Sequence, residues 1–232
     1  MVLRALLALL MVMVLSPIDA QAQKELDPEN TIYLDLKDGR VTIEMYPAFA
    51  PKTVERIKIL TRRGFYDNLA FHRVSEGFMA QTGDPSGDGT GGSDLPDLEA
   101  EFNIKPHWRG ATSMARSDDL NSANSQFFIM FVDKISLNGE YTVWGRVVGG
   151  MIHVDNIKKG DPSPELDGKV LGEPDRIIRM RVMADVIAEE APPSEESTEE
   201  NTEESAEESA EESAEESAEE SAEESTDEET IQ

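Results

Sequence analysis

The stretch Phe71-His-Arg-Val-Ser-Glu-Gly-Phe-Met-Ala-Gln-Thr-Gly-Asp84 sets one arginine and one glutamine among large apolar residues. Arg73 follows one short apolar run, and Gln81 ends the next; both runs are typical of strands. On spacing alone, Phe78 and Met79 are interpreted as ordinary core residues, and Arg73 as a surface residue that forms a salt bridge. The role of this stretch therefore depends on the rest of the chain.

Upstream, residues 31–45 alternate between apolar and polar side chains, as a half-buried strand pair does. Asp38-Gly39 lies between the two halves and is a strong signal for a short hairpin turn. Each predicted strand has an apolar face, formed by Ile32, Leu34 and Leu36 on the first strand and by Val41, Ile43 and Met45 on the second.

Two helices are predicted. Pro51 suits the first turn of a helix, where a missing N–H is harmless, and Gly64 is placed to end that helix. A second helix fits residues 151–157, between glycines on both sides.

The remaining elements are short strands separated by glycine and polar clusters. Residues 159–175 contain three prolines and are predicted as loop, whereas residues 176–187 are predicted as a long closing strand. Many short strands with few helices favour a closed barrel, because closure removes exposed strand edges, and leave a sandwich as the alternative. The other predicted strands are residues 69–72, 78–81, 112–114, 125–131 and 142–147.

Residues 1–22 are typical of a secretory signal peptide. Arg4 gives a positive start, residues 5–15 are apolar, and Ala20-Gln21-Ala22 offers the small residues that signal peptidase requires. The apolar run is about half the ~20 residues that a membrane-spanning helix needs. Cleavage after Ala22 or retention as an anchor would both export the body. We expect a periplasmic protein with no integral membrane segment after cleavage.

The negative charge of the chain is concentrated near its C-terminus. The chain has 232 residues and a formal charge of −27, and residues 188–232 contain 21 Asp and Glu but no Lys or Arg. The rest of the chain contains 27 acidic and 21 basic residues, which gives it a net charge of −6. A Glu-Glu-Ser-Ala repeat from Glu203 to Ala222 puts like charges at i and i+4 and offers little apolar surface to bury. We predict a disordered acidic tail at residues 188–232 beyond one domain at residues 30–187.

Composition also disfavours several kinds of site. An acidic body lacks the basic surface that nucleic acid binding needs, and a chain without cysteine has no disulfides or thiolate metal sites. The three histidines form no metal-ligand pair. Residues 87–92 match a dinucleotide fingerprint in letters only, without the flanking strand and helix. We expect no metal, no cofactor and no nucleic acid partner.

Four further motifs follow the stretch at residues 71–84: Gly89-Thr-Gly-Gly92, Thr112-Ser-Met-Ala-Arg116, Ser125-Gln-Phe-Phe-Ile129 and Val143-Trp-Gly145. In these five motifs and their order the chain resembles the cyclophilin-type peptidyl-prolyl cis-trans isomerases. The resemblance covers about Thr31 to Val186 and implies a mainly β, cyclophilin-like fold, a closed eight-stranded antiparallel β-barrel capped by two α-helices.

The resemblance also implies roles for ten residues. Arg73 is the implied catalytic residue, and the backbone of Ala115 and Arg116 is implied to pair with substrate. Ser136 stands where many eukaryotic members have tryptophan, so we expect weak binding of cyclosporin-like ligands. The implied proline pocket is formed by Phe78, Met79, Phe128 and Leu137, with Gln81 and Gln126 as polar members and Tyr141 as an aromatic wall.

The implied function is a monomeric, exported peptidyl-prolyl isomerase whose partners are proline-containing polypeptides. An alternative of another class is a peptide-binding chaperone module with little catalysis, which the departures at Ser136 and Arg116 leave open. Arg73, Phe78 and Gln81 are all retained, and this favours activity. The acidic tail is expected to keep the protein soluble and to tune the access of charged clients, without a part in isomerisation.

Overall fold

The computed structural model describes residues 25–191, and its first two strands form the predicted hairpin. β1 (Thr31–Leu36) and β2 (Gly39–Met45) pair antiparallel, with Leu36 opposite Gly39. The turn is therefore Lys37-Asp38, and Gly39 opens β2 with φ +143°, a conformation that other residues rarely adopt. All six apolar residues predicted for the two inner faces are buried.

One antiparallel sheet contains all eight strands of the described residues, so the mainly β prediction is confirmed. Their order across the sheet is β3-β4-β6-β5-β7-β2-β1-β8. The six further strands are β3 (Arg73–Ser75), β4 (Met79–Thr82), β5 (Ala111–Met114), β6 (Phe127–Met130), β7 (Val143–Gly149) and β8 (Arg179–Val182).

The sheet is curled but not closed, which corrects the predicted closed barrel. Within residues 25–191 the edge strands β3 and β8 each pair with one neighbouring strand only. Irregular backbone spans the seam between them, for example where Asn68 N–H donates to the Ile177 carbonyl at 2.8 Å. The predicted strand at residues 69–72 contributes only an isolated bridge there, between Ala70 and Arg176. The segment that faces it, residues 170–177, contains Pro174, which lacks the N–H that a continuous ladder requires.

The described residues contain three α-helices, where the sequence predicted two. α1 (Pro51–Arg62) and α2 (Met151–Asp155) lie at the predicted places, whereas α3 (Met183–Glu190) replaces the second half of the predicted closing strand. The segment of α3 is rich in Ala, Glu and Met, which favour helix over strand. α3 also continues past Ile187, the predicted limit of the domain. Residues 1–24 and 192–232, with the predicted signal peptide and most of the predicted tail, lie outside the described residues.

β4 and β6 carry apolar side chains on both of their faces. Alternate residues of a strand point to opposite faces. Ala80 and Phe127 accordingly belong to the main core, which also contains Trp144, while Met79 and Phe128 belong to a smaller cluster on the outer face. Partly buried side chains border this outer cluster, and they include Phe78, Leu137 and Tyr141.

A residue from a distant loop caps the N-terminus of α1. Ala50 at the N-cap position provides no side-chain hydrogen bond. The Glu101 carboxylate instead accepts from the backbone N–H groups of Lys52 (2.9 Å) and Thr53 (2.8 Å) and from the Thr53 hydroxyl (2.7 Å). A carboxylate here satisfies free N–H groups and interacts favourably with the helix dipole. Glu101 thereby fixes the loop before β5 onto α1.

Replacement of Glu101 by alanine should lower the free energy of unfolding by about 1–2 kcal/mol, because the helix loses its cap and the buried Thr53 its partner. The matched control is Glu99→Ala, since within residues 25–191 Glu99 contributes an exposed ion pair with Lys52 and should matter little. Urea denaturation of both variants measures the difference. Equal losses in the two variants would contradict the capping role.

Candidate functional site

A row of directly opposed residues crosses four strands on the outer face of the sheet. The strand register places Arg73 of β3 opposite Gln81 of β4, and Gln81 opposite Phe128 of β6. Phe128 in turn lies opposite Ser113 of β5. Opposed residues point to the same face with Cβ atoms about 4.5–5.5 Å apart. Strand pairing thus places a cation, an amide and an aromatic ring next to one another.

The guanidinium of Arg73 is held from two sides. Its Nη1 donates to Oε1 of Gln81 (3.0 Å), its Nε donates to the backbone carbonyl of Asp167 (3.0 Å), and its Nη2 pairs with the Asp167 carboxylate (2.5 Å). The guanidinium carbon lies 6.0 Å from the centre of the Phe78 ring. The Arg73 side chain is 31% exposed, so the group is fixed in place and still accessible.

Gln81, the partner of Arg73, is in turn oriented by Gln126. Nε2 of Gln81 donates to Oε1 of Gln126 (2.9 Å), and Nε2 of Gln126 donates to the carbonyl groups of Gly89 (3.0 Å) and Gly91 (2.8 Å). Each amide therefore has both its oxygen and its nitrogen fixed by a partner. This relay connects the guanidinium to the glycine-rich loop.

A small cavity of about 140 Å³ lies beside Arg73. Met79 and Phe128 form its buried floor, and Leu137 reaches it from the 3-10 helix Ile135–Leu137. Gln126, the one predicted site residue not on this cavity, lines a larger one of about 410 Å³ that shares three residues with the first. The small cavity is lined by the other nine predicted residues, Arg73, Phe78, Met79, Gln81, Ala115, Arg116, Phe128, Leu137 and Tyr141.

His107 supports the cavity from behind. Its buried ring stacks on Phe128 with centroids 6.2 Å apart and an interplanar angle of 19°. Its ring nitrogens lie 3.2 Å from Oδ1 of Asn138 and 3.1 Å from Oγ of Ser113. Burial, partly offset by the contact with Asn138, lowers the pKa of His107. The neutral ring thus gives Phe128 a fixed support, and Tyr141 meets the same phenyl ring edge to face at 5.7 Å.

Arg116 lies at the rim between the two cavities. Its Nε donates to the Glu140 carbonyl (3.1 Å), its Nη1 donates to the Ser117 carbonyl (2.8 Å), and its guanidinium carbon lies 4.7 Å from the centre of the Tyr141 ring. The neighbouring Ala115 N–H donates to the Gln126 carbonyl at 2.9 Å. Backbone pairing with substrate, predicted for Ala115 and Arg116, would therefore use the other polar groups of these two residues.

Asp167 and His107 complete the site, and the sequence assigned a role to neither. Asp167 is 94 positions from Arg73 and falls in the predicted loop. Its one local signal is the Asp167-Gly168 dipeptide, which indicates a turn but not a partner. Nothing in the sequence neighbourhood of His107 indicates a ring packed behind Phe128.

Comparison with known proteins identifies relatives over most of the described residues. The model of the family described as cyclophilin type peptidyl-prolyl cis-trans isomerase/CLD matches residues 31–182, more than half of the 232 residues. A probable peptidyl-prolyl cis-trans isomerase of Brucella suis biovar 1 is 52% identical over 176 residues, which cover 71% of this chain and 88% of that protein. Peptidyl-prolyl cis-trans isomerase B of Bacillus subtilis is 42% identical over 138 residues, 59% of this chain and 96% of that protein.

Solved structures give the same picture. The cyclophilin AquaCyp293 from Hirschia baltica has a TM-score of 0.60 and 26% identity, over 72% of this chain and 77% of that one. A cyclophilin-type isomerase from Cryptosporidium parvum, crystallised in the presence of the dipeptide Ala-Pro, has a TM-score of 0.59 and 27% identity, over 66% of this chain and 98% of that one.

The two histidines with lowered pKa predict how stability depends on pH. Burial lowers the pKa of His107 and His72 below the ordinary value of 6.5, so the unfolded chain takes up protons first as the pH falls. The free energy of unfolding should be unaffected by these groups well above pH 6.5 and should fall as the pH drops below about 6.5. Lowered carboxyl pKa values, as at Asp35, act at lower pH.

Urea denaturation at about pH 7.5 and about pH 5.5 measures this loss. His107→Gln should shrink the difference between the two pH values, whatever its effect on stability at either one. An unchanged difference in that variant would show that His107 is not among the groups responsible.

Proposed function

The chain belongs to the family of cyclophilin-type peptidyl-prolyl cis-trans isomerases, and from this premise we propose that Arg73 accelerates X–Pro isomerisation by stabilising the twisted amide. The enzyme class follows from the family, whose substrates are proline-containing peptides. The role of Arg73, the use of the small cavity as the proline site, and export are the parts that we propose.

The reaction needs no covalent bond to be made. Rotation about an X–Pro bond crosses a barrier of roughly 18–20 kcal/mol and takes tens to hundreds of seconds unaided. In the twisted transition state the amide resonance is lost, and the prolyl nitrogen regains a lone pair. A cation that donates a hydrogen bond to this nitrogen stabilises the twisted form more than either planar isomer, and this difference is what accelerates the reaction.

The observation that carries the proposal is the way in which the Arg73 guanidinium is held at the rim of an apolar cavity. Gln81 and Asp167 occupy three of its five N–H groups. Within residues 25–191 no protein acceptor takes the other two, one on each terminal nitrogen. Arginine suits this task because it stays charged and its planar fork can be fixed at several points.

The cavity is suited to one ring of a substrate. Its volume of about 140 Å³ is well below the roughly 300–1,000 Å³ of pockets that enclose drug-sized ligands. Met79 and Phe128 give it an apolar floor, so a proline ring would be anchored there by burial while the preceding carbonyl rotates. Exclusion of water by that ring would strengthen the field of the neighbouring guanidinium.

The alternative is a peptide-binding module with little catalysis. Ser136, exposed in the 3-10 helix beside the cavity, is one departure that keeps this alternative open. A protease-coupled assay with a proline tetrapeptide separates the two on the wild-type chain, because a binding module would protect the peptide without increasing its isomerisation rate.

Arg73→Ala should retain the fold and lose most turnover. By analogy with the loss of one preorganised donor in other enzymes, kcat/KM should fall about 10²–10³-fold, equivalent to about 2.7–4 kcal/mol. Arg73→Lys should recover only part of the loss, since lysine keeps the charge but not the fork. The protease-coupled assay gives the rates, and circular dichroism checks the fold.

Arg63→Ala is the matched control for this experiment. Arg63 also forms one exposed ion pair, with Asp94, but it lies away from the small cavity. Its loss should leave the rate unchanged. A folded Arg73→Ala variant as active as Arg63→Ala would exclude Arg73 as the catalytic group.

We also propose that the enzyme acts in the periplasm after export. The support is the charged start, apolar run and Ala20-Gln21-Ala22 pattern of the first 22 residues. The described residues include no helix long and apolar enough to cross a membrane. The acidic repeat beyond residue 191 would keep the exported enzyme soluble and tune its access to charged clients.

Export predicts a specific N-terminus. In a fractionated Gram-negative host that expresses the whole chain, the periplasmic protein should begin at Gln23, because cleavage after Ala22 removes the signal. N-terminal sequencing of the soluble fractions checks both cleavage and compartment. Full-length protein that starts at Met1 and remains in the cytoplasm would contradict the proposal.

A further inference from the structure

The backbone of residues 160–170 runs along the open edge of β3. Val74 N–H donates to the Gly168 carbonyl (2.7 Å), and Gly160 N–H donates to the Val74 carbonyl (2.8 Å). Gly168 approaches so closely that a Cβ added there would lie 2.9 Å from the backbone of Ser75. The segment is therefore fixed against the strand that carries the catalytic arginine.

Asp167 turns both its backbone carbonyl and its carboxylate toward Arg73. The two groups accept from Nε and Nη2, so one residue binds two neighbouring donors of the guanidinium. Asp167 has φ +43°, a left-handed conformation that Gly, Asn and Asp tolerate better than other residues. Its own N–H donates to the Ser163 carbonyl at 2.8 Å, which stabilises this turn.

Gln81 binds the guanidinium through the third nitrogen, Nη1. Because all three nitrogens have a protein partner, the plane of the guanidinium is fixed, and its remaining N–H groups keep one direction. Productive geometry at a catalytic site requires alignment within about 0.5 Å and 10–20°. Without the Asp167 carboxylate, Nη2 would lose its partner. Nη1 would still be held by Gln81, and Nε by the backbone carbonyl of residue 167.

The ion pair is too exposed to act chiefly on stability. The Arg73 side chain is 31% exposed and that of Asp167 65%, and ion pairs of this kind contribute little to folding. The carboxylate also opposes the positive field of the guanidinium, but the high dielectric constant of water weakens that opposition at such exposure. Orientation of the guanidinium is the effect that remains.

We propose that Asp167 is a positioning residue for isomerisation, which sets the direction in which Arg73 presents its N–H groups to the prolyl nitrogen. The inference rests on the catalytic role proposed for Arg73. It assigns a function to residues 160–170, which otherwise only cover a strand edge.

Two substitutions of Asp167 test the inference in the full chain. Asp167→Gly removes the carboxylate and accepts the left-handed backbone, and kcat should fall roughly tenfold with KM within about twofold, because orientation acts in the transition state. Asp167→Asn keeps an acceptor in the same place and should retain most of the activity. The protease-coupled assay, run over a range of substrate concentration, gives kcat and KM separately.

Glu165→Gly is the matched control. It removes the same charge and adds the same glycine to the same loop, but within residues 25–191 Glu165 forms no hydrogen bond or ion pair with Arg73. Its kcat should equal that of the wild type. Equal losses in Glu165→Gly and Asp167→Gly would overturn the proposal, because loop flexibility or charge would then explain both. A loss in Asp167→Asn as large as in Asp167→Gly would overturn it as well.

A double variant shows whether Asp167 acts through Arg73. In the Arg73→Ala background, Asp167→Gly should cause no further loss of kcat, because there is no guanidinium left to orient. An additional tenfold loss in that background would contradict the positioning role. Full activity of Arg73→Ala itself would instead reject the proposed catalytic arginine, so the two failures are distinguishable.

Discussion

The open edge of β3 is the constraint on which the site depends. An unpaired strand edge presents backbone N–H and C=O groups that must find partners. In a closed barrel β8 would supply them, but here the backbone of Gly160 and Gly168 does so for Val74. Because Arg73 begins this short strand, backbone that satisfies the edge passes within reach of its side chain. The same segment that completes the sheet thereby brings Asp167 to the guanidinium.

The cavity has an apolar floor because β4 and β6 carry apolar side chains on both of their faces. A strand with one wet face would present polar residues there, whereas these four-residue strands carry Met79 and Phe128 on the outer face. No second sheet packs against this outer face within residues 25–191, so its apolar side chains form the surface of a depression. Phe78, Leu137 and Tyr141 border that depression without filling it, and the cavity results.

The sequence predicted the features that are encoded locally. Alternation predicted the hairpin of β1 and β2, and Pro51 predicted the start of α1. Family resemblance, rather than pattern, selected the nine residues that line the small cavity. The prediction was wrong where tertiary context decides: closure failed at the proline-containing segment, and helix propensity ended the last strand at Val182.

Non-local contacts explain the residues that the sequence did not reveal. Asp167 and His107 act through partners that only the folded chain brings near, so no window of sequence contains both members of either pair. The helix cap from Glu101 to α1 is of the same kind, since 48 positions separate it from Thr53. The role of each of these side chains follows from a partner that is distant in sequence, and the neighbouring residues give no indication of it.

Burial divides the site into two parts that respond differently to substitution. Met79 and Phe128 are 1% and 5% exposed, so shortening either one would remove core contacts and cost stability along with function. The side chains of Arg73 and Asp167 are 31% and 65% exposed, and their replacement costs little folding energy. The departures at Arg116 and Ser136 also lie at the rim, outside the buried floor. Substitution of Arg73 or Asp167 should therefore cost less stability than shortening of Met79 or Phe128.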